Sequence, residues 1–225
     1  GSTWRYELTY SAIAGDPQPF TKWNSTLLGF YAQDNWEVHS KLRLTAGLRL
    51  DIPSFPETPA ANDTIAKHFS SMNLKTDQMP SGNLHVSPRL GFNYSTQDEN
   101  NTIIRGGVGI FSGSPKFVWM SNNFSNSGMV LKSVYLDDAW ATIPPFLLDR
   151  ETQIDSLIAM GVISTTGYQS SEINLVDKDL KFPQVLRTNL AIDRKLPCSL
   201  NGTIEFLYTK TLNDYKYQQI NAVKD

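Results

Sequence analysis

The sequence has 225 residues, a formal net charge of −2 at pH 7 and 40% hydrophobic residues. The near-neutral charge offers no basic field for nucleic acid, and the hydrophobic content excludes wholesale disorder. The single cysteine, Cys198, excludes an internal disulfide framework. No run approaches the ~18 apolar residues that a transmembrane helix needs. Because Gly1-Ser2 is typical of a cloning remnant, we expect a fragment of a longer protein.

Seven segments alternate apolar and polar residues with the period of a β-strand. They cover residues 4–14, 27–38, 42–51, 85–95, 102–111, 185–194 and 200–210. Most match the ~9–11 residues of a membrane-spanning strand rather than the usual ~5–6 of a globular one. The third segment shows the pattern best: Leu42, Leu44, Ala46, Leu48 and Leu50 share one face, and Arg43, Thr45, Gly47, Arg49 and Asp51 share the other.

A sheet with one apolar and one polar face has two interpretations. In a soluble protein the apolar face covers a core, whereas in an outer-membrane barrel it contacts lipid and the polar face lines the lumen. The alternation alone favours neither, but the connections favour the barrel. They are short at 39–41, 97–101 and 196–199 and long at 52–84 and 112–184. We therefore predict an all-β, antiparallel up-and-down sheet, a partial outer-membrane β-barrel with two long extracellular loops.

The second long loop contains two features of its own. Ile154, Leu157 and Ile158 share one face at helical spacing, which predicts a short amphipathic helix at about 150–160 that packs on the same loop. The stretch 119–128 mixes aromatic and amide side chains, a combination that suits sugars or peptides. We predict surface-loop ligand contacts at Trp119, Asn122, Asn123 and Phe124. The alternative, equally favoured, is that this loop packs on its own side chains.

The search for catalytic chemistry predicts none. His39, His68 and His85 have no partner at metal-ligand spacing, so we expect each to be solvated, with no metal and no cofactor. The glycines from Gly106 to Gly109 lie inside a strand, which favours close backbone approach or curvature over a phosphate loop. Asp137 and Asp138 are expected to be exposed loop charges. The sequence therefore predicts a protein that is not an enzyme.

Several of these motifs together resemble a known family. The stretch FYAQDNWEVHSKLRLTAGLRLDIPSFP, at 30–56, resembles the strand–turn–strand signature of TonB-dependent outer-membrane receptors. Ser87-Pro88-Arg89-Leu90-Gly91-Phe92 resembles the strand that follows. The stretch 103–128 is similar to the Oar-like branch, which bears a carboxypeptidase-regulatory-like domain. The resemblance covers about residues 23–221 and implies that the whole chain, 1–225, is part of the receptor barrel.

The resemblance implies a 22-stranded barrel with a plug, located in the cell outer membrane and energised by the TonB complex. Loops would capture a nutrient ligand, and displacement of the plug would let it pass through the lumen. Implied partners are the nutrient, outer-membrane lipid and the TonB complex acting through a plug region missing here; a surface lipoprotein is left open. The strand arginines would pair with lumen carboxylates or with the plug. The alternative is a soluble β-sandwich binding module for carbohydrate or adhesion.

Overall fold

The computed structural model describes residues 5–98, 101–136, 144–163 and 172–221. Two compact units are present, each assembled from separate parts of the chain. The first, called the loop unit, comprises Gly1–Asn24, Phe55–Met79 and Lys116–Lys178. The second, called the sheet unit, comprises Ser25–Ser54, Pro80–Pro115 and Asp179–Asp225. The two long connections that follow the third and fifth strands thus belong largely to the loop unit.

The elements follow one another in a mainly β order. They are β1 (Tyr6–Ser11), β2 (Thr26–His39), β3 (Leu42–Ser54), α1 (Asp63–His68), β4 (His85–Ser95), β5 (Ile103–Ser112), α2 (Phe117–Ser125), β6 (Leu131–Leu136), α3 (Arg150–Ala159), β7 (Gln184–Leu196) and β8 (Leu200–Asn213). None of the helices in the described residues has the length and apolarity needed to cross a membrane.

The sheet unit is one six-stranded antiparallel sheet in the order β2-β3-β4-β5-β7-β8. Its register aligns the apolar residues of neighbouring strands. Leu44 lies opposite Trp36 and Phe92, and Leu90 lies opposite Ala46 and Val108. The resulting apolar face is open to the surroundings, with Ile204 as much as 80% exposed. A β-sandwich buries such a face against a second sheet, so the exposure argues against the soluble alternative.

Short turns join the strands at one end of this sheet. Ser40-Lys41 joins β2 to β3, residues 96–102 join β4 to β5, and Pro197–Ser199 joins β7 to β8. The last turn is tight because Cys198 and Ser199 adopt left-handed backbone angles, with φ of 62° and 57°. The long connections from β3 to β4 and from β5 to β7 leave from the opposite end, as in outer-membrane barrels.

The loop unit has a small core of its own. Strands β1 and β6 pair as a two-stranded antiparallel sheet, and the apolar side of α3 packs on them. Leu157 of α3 is completely buried among Val134, Leu136, Val162 and Ile163. Helix α3 begins after Asp149, whose carboxylate accepts a hydrogen bond from the Thr152 amide at 2.8 Å. The loop unit therefore has a buried apolar cluster made of its own residues.

The prediction that 4–14 forms a strand of the barrel sheet is wrong for the described residues. Strand β1 spans only Tyr6–Ser11 and pairs with β6 in the separate sheet. Its alternation arises because Tyr6, Leu8 and Tyr10 pack against the α3 core. A strand that covers a small helix has the same period of two as one that faces lipid, so the pattern alone does not distinguish them.

The interpretation of 112–184 as a loop with one helix also needs correction, because α2 and β6 lie in it as well. The α2 sequence, FVWMSNNFS, contains few strong helix formers, and its first residue follows Lys116, which makes no side-chain cap. Tertiary packing stabilises this helix instead, since Met120 is almost completely buried. A propensity argument therefore gave no sign of α2.

Candidate functional site

The polar face of the sheet unit carries the charged residues that alternate with the apolar ones. The five arginines predicted for this face are Arg43, Arg49, Arg89, Arg105 and Arg187. One row of this face runs across all six strands, from Gln33 through Gly47, Arg89, Gly109 and Arg187 to Thr209. Each arginine of the row is flanked by a glycine, which leaves its long side chain room to lie across the sheet.

Three of the five arginines pair with carboxylates of the same face. Arg43 Nη2 lies 2.9 Å from Glu37 Oε1. Arg49 holds Asp51 with both Nε and Nη2, at 2.9 and 2.8 Å from Oδ2 and Oδ1. Fork-like contacts of this kind fix both side chains in position. The expectation that strand arginines pair with carboxylates of the polar face is therefore met by Arg43, Arg49 and Arg105.

Arg105 belongs to a larger network that joins three strands. Its Nε donates to Asp193 Oδ2 at 2.8 Å, and its Nη1 lies 4.0 Å from Glu205 Oε1. Asp193 also accepts a hydrogen bond from the Thr203 hydroxyl at 2.8 Å, and Asn189 donates to Glu205 at 3.2 Å. The network satisfies these charges within the polar face and links β5, β7 and β8. Its main contribution is structural.

The remaining two arginines have a different environment. Arg89 and Arg187 place their guanidinium carbons 5.3 and 6.0 Å from the centroid of the Phe111 ring. Over the described ranges, neither has a carboxylate within 4.0 Å. Gly109 lies between them in the row, and a Cβ there would come within 3.0 Å of Arg89 Cβ and 3.2 Å of the Phe111 ring. The glycine thus allows the two arginines and the ring to come together.

A shallow depression opens beside Arg89 on the same face. It has a volume of about 230 Å³ and is lined by Tyr31, Ala32, Gln33, Gly47, Leu48, Arg49 and Arg89. Gly47 contributes to its shape, since a Cβ at that position would lie 3.1 Å from Arg89 Cγ. The lining combines a phenol, an amide and guanidinium groups, so it offers hydrogen-bond donors to a solute in water.

The four predicted ligand contacts all lie on α2, but they do not share one face. Trp119 and Asn122 are exposed, whereas Asn123 is buried and donates from Nδ2 to the Trp119 carbonyl at 3.0 Å. Phe124 is half-buried and stacks on Trp23, with ring centroids 5.9 Å apart and planes inclined by 6°. Two of the four side chains therefore pack within the loop unit, and ligand binding at the four positions stays a prediction.

Trp23 organises the aromatic packing beneath α2. Its ring also lies 5.9 Å from that of Phe55 and 5.8 Å from that of Phe117. The backbone amide and side chain of the neighbouring Asn24 both donate to the Glu57 carboxylate, at 2.9 and 2.7 Å. The Asn24 hydrogen bonds lower the pKa of Glu57. Sequence reasoning missed this cluster because its members are far apart in the chain.

The prediction of a solvated histidine is wrong for His85. Its side chain is 1% exposed and stacks on Phe182, with ring centroids 4.8 Å apart. His85 lies opposite Asp51 in the register of β3 and β4. In the ranges that the structure describes, no three His, Cys, Asp or Glu side chains are grouped to hold a metal ion. Asp137 and Asp138 lie outside the described residues.

An antiparallel sheet with an exposed apolar face, a charged opposite face and turns that are short at one end only defines an outer-membrane β-barrel protein. The chain belongs to the family described as an outer membrane beta barrel domain, which it matches over residues 7–225. Family membership confirms the predicted fold class and localisation to the cell outer membrane, and it favours a structural or transport role. No curated protein and no solved structure matches the chain.

Proposed function

We propose that the chain forms part of the barrel wall of a TonB-dependent active importer of a nutrient. The observation that carries this proposal is the hairpin β2–β3, whose sequence resembles the barrel signature of TonB-dependent receptors. The register of that hairpin puts Leu44 and Leu48 on the apolar face and Arg43 and Arg49 on the polar face. In the intact barrel, the first pair contacts lipid and the second pair faces a hydrated lumen.

The loop unit gives further support. Binding residues are disproportionately found on loops that a rigid scaffold positions, and the long connection from β5 to β7 has a buried apolar cluster of its own. The connection from β5 to β7 contains α2, β6 and α3, and its core includes Met120 and Leu157. Trp119 and Asn122 are exposed on α2, and there they contact the nutrient. No bond is made or broken by these residues.

The test is binding of the TonB periplasmic domain to the gene product that contains this chain, purified in detergent. The resemblance implies saturable binding through a plug region, measured by titration calorimetry. A matched sample of the 225 residues alone is the control and is expected not to bind, because the TonB contact is assigned to the plug. Absence of binding by the gene product would contradict energised import and leave a passive barrel.

A further inference from the structure

Two arginines, Arg89 and Arg187, have no carboxylate partner among the described residues, and they point to a function of the polar face beyond the barrel wall. We propose that Arg89, Arg187 and Phe111 form a binding site for a small organic anion, namely a carboxylate or phosphate attached to a flat apolar group. This inference goes beyond import, since it needs only that the polar face of the sheet unit contacts water. It rests on the contacts and charges of residues within that unit.

The charges of this site favour an anion. Arg89 and Arg187 both lie within 6.0 Å of one ring centroid, so two positive charges share a small area. The carboxylates nearest in the register are already engaged, Asp51 by Arg49 and both Asp193 and Glu205 by Arg105. Like charges held close together are unfavourable unless an anion or water compensates them. Carboxylate side chains compensate the charges of the other three arginines, and a bound anion would compensate Arg89 and Arg187 in the same way.

The shape of the guanidinium groups also suits an anion. Each guanidinium presents N–H donors in a planar fork, which matches the two oxygens of a carboxylate or the oxygens of a phosphate. Arg89 and Arg187 flank Gly109 in one row of the sheet, and the Phe111 ring over that glycine lies within 6.0 Å of both guanidinium carbons. Tyr31 and Gln33 line the depression beside Arg89 and add further polar groups. An anion bound along this row would accept hydrogen bonds from side chains of several strands.

The Phe111 ring favours a ligand whose remaining part is flat and apolar. Phe111 is on the polar face and remains partly exposed, although two guanidinium carbons lie within 6.0 Å of its ring centroid. A partly exposed aromatic ring among polar residues offers an apolar surface for stacking. Arginine planes also stack on flat groups, so the cluster fits an anion with an aromatic part better than an inorganic one. The cluster therefore favours organic anions that carry a flat apolar group.

The experiment uses the full 225-residue chain in micelles of an uncharged maltoside detergent, which carries no phosphate. Phenyl phosphate is the probe, and its binding is followed by ligand-observed NMR relaxation. Benzoate and inorganic phosphate are titrated in parallel. Saturable binding of phenyl phosphate or benzoate is expected, and whichever binds more tightly identifies phosphate or carboxylate as the preferred group. Inorganic phosphate should bind more weakly than phenyl phosphate.

The double variant R89Q/R187Q is expected to bind about tenfold to a hundredfold more weakly, because two charged hydrogen-bonding groups are lost. The matched control is R43Q, which removes an arginine of the same face that Glu37 already pairs with, and its affinity should stay at the wild-type level. Phe111→Leu should weaken phenyl phosphate binding and leave inorganic phosphate binding unchanged. This variant separates the contribution of the ring from that of the charges.

Two results would overturn the proposal: no saturable binding by the wild-type chain at millimolar probe, or equal affinity in R89Q/R187Q. If the double variant lacks the sheet signal in circular dichroism, the exposed single variant R187Q replaces it, and unchanged affinity there also overturns the proposal. Failure of this experiment is distinct from failure of the import proposal, because TonB binding is measured on the gene product and involves none of these three residues.

Discussion

The sheet unit and the loop unit use apolar residues in opposite ways. In the sheet unit the large apolar side chains of β8 are exposed, as with Ile204 and Phe206. In the loop unit Met120 and Leu157 are among the largest fully buried side chains of the described residues. Both units have the same alternating strands, so the difference lies in what covers the apolar face. For the sheet unit the cover is lipid, and for β1 and β6 it is α3.

The two units therefore obtain their stability from different interactions. The loop unit depends on the packing of a small protein core, which is sensitive to the loss of volume. The sheet unit depends on backbone pairing, on lumen-face ion pairs and on transfer of its other face into hydrocarbon. Substitutions that change volume should therefore affect the first unit most, and substitutions that introduce charge should discriminate between the two faces of the second.

The largest effect is expected for Leu157→Ala. The Leu157 side chain has no exposed surface and lies at the centre of the cluster beneath β1 and β6, so truncation leaves a cavity. The expected loss is about 2–5 kcal/mol in the free energy of unfolding of the loop unit. Hydrogen exchange of the β1 and β6 amides measures it. Ile204→Ala, at an exposed position of the sheet, is the control and should leave those amides as protected as in the wild type.

If Leu157→Ala and Ile204→Ala have equal effects on the β1 and β6 amides, the loop unit has no independent core. The two units would then not differ in the source of their stability. A loss of protection confined to the loop unit would show that the long connections are stabilised by their own contacts.

The next effect concerns the two faces of β8. Phe206 and Leu207 are neighbours in sequence and are 64% and 63% exposed, but Phe206 lies opposite Leu190 on the apolar face and Leu207 opposite Asn189 on the polar face. Phe206→Arg should cost about 2–4 kcal/mol near the bilayer midplane. Leu207→Arg adds a charge beside Glu205 on a hydrated face and should cost much less.

Urea-dependent folding into lipid vesicles measures both variants under the same conditions. Because the two positions have nearly equal exposure, any difference reports what surrounds each face. Equal destabilisation by the two arginines would show that both faces contact the same medium, which would contradict the assignment of the apolar face to lipid.

Particular residues show how much of this structure could be predicted from the sequence. The two faces of β3 were predictable, because a period of two assigns Leu44 and Arg43 directly to opposite sides and the composition of the turns marks the strand ends. The sheet to which β1 belongs was not predictable, because Tyr6, Leu8 and Tyr10 alternate in the same way whether lipid or α3 covers them. Local pattern specifies a face but not the partner of that face.

The candidate site was likewise predictable only in part. The presence of Arg89 and Arg187 on the polar face was predictable from alternation alone. Their proximity to Phe111, and their lack of a carboxylate among the described residues, depends on the register of three strands and on Gly109. The burial of His85 against Phe182 likewise depends on residues far apart in sequence. Contacts between residues so far apart in sequence can be identified only from the folded structure.

The smallest effect is a pH dependence confined to the loop unit. The Asp149 carboxylate accepts hydrogen bonds from the Thr152 hydroxyl at 2.6 Å and from its amide at 2.8 Å, and these contacts lower the pKa of Asp149 from its usual 3.8. A carboxyl whose pKa is lower in the folded state stabilises that state fully above the unfolded pKa. The stabilisation is lost as the pH falls through the folded pKa. The first turn of α3 should therefore open more often below about pH 4.

Hydrogen exchange of the Thr152 and Gln153 amides, corrected for intrinsic rates, measures this opening from pH 6 to pH 3. Asp149→Asn is the matched control, because asparagine also caps a helix but does not titrate in this range. In the variant the opening of α3 should become independent of pH, while the sheet unit shows the same behaviour in both proteins. If the wild type and the variant had the same pH profile, the cap would not depend on the charge of Asp149. Any acid sensitivity of the loop unit would then come from another carboxyl, and Glu57, whose pKa is also lowered by its hydrogen bonds to Asn24, would be the next to replace.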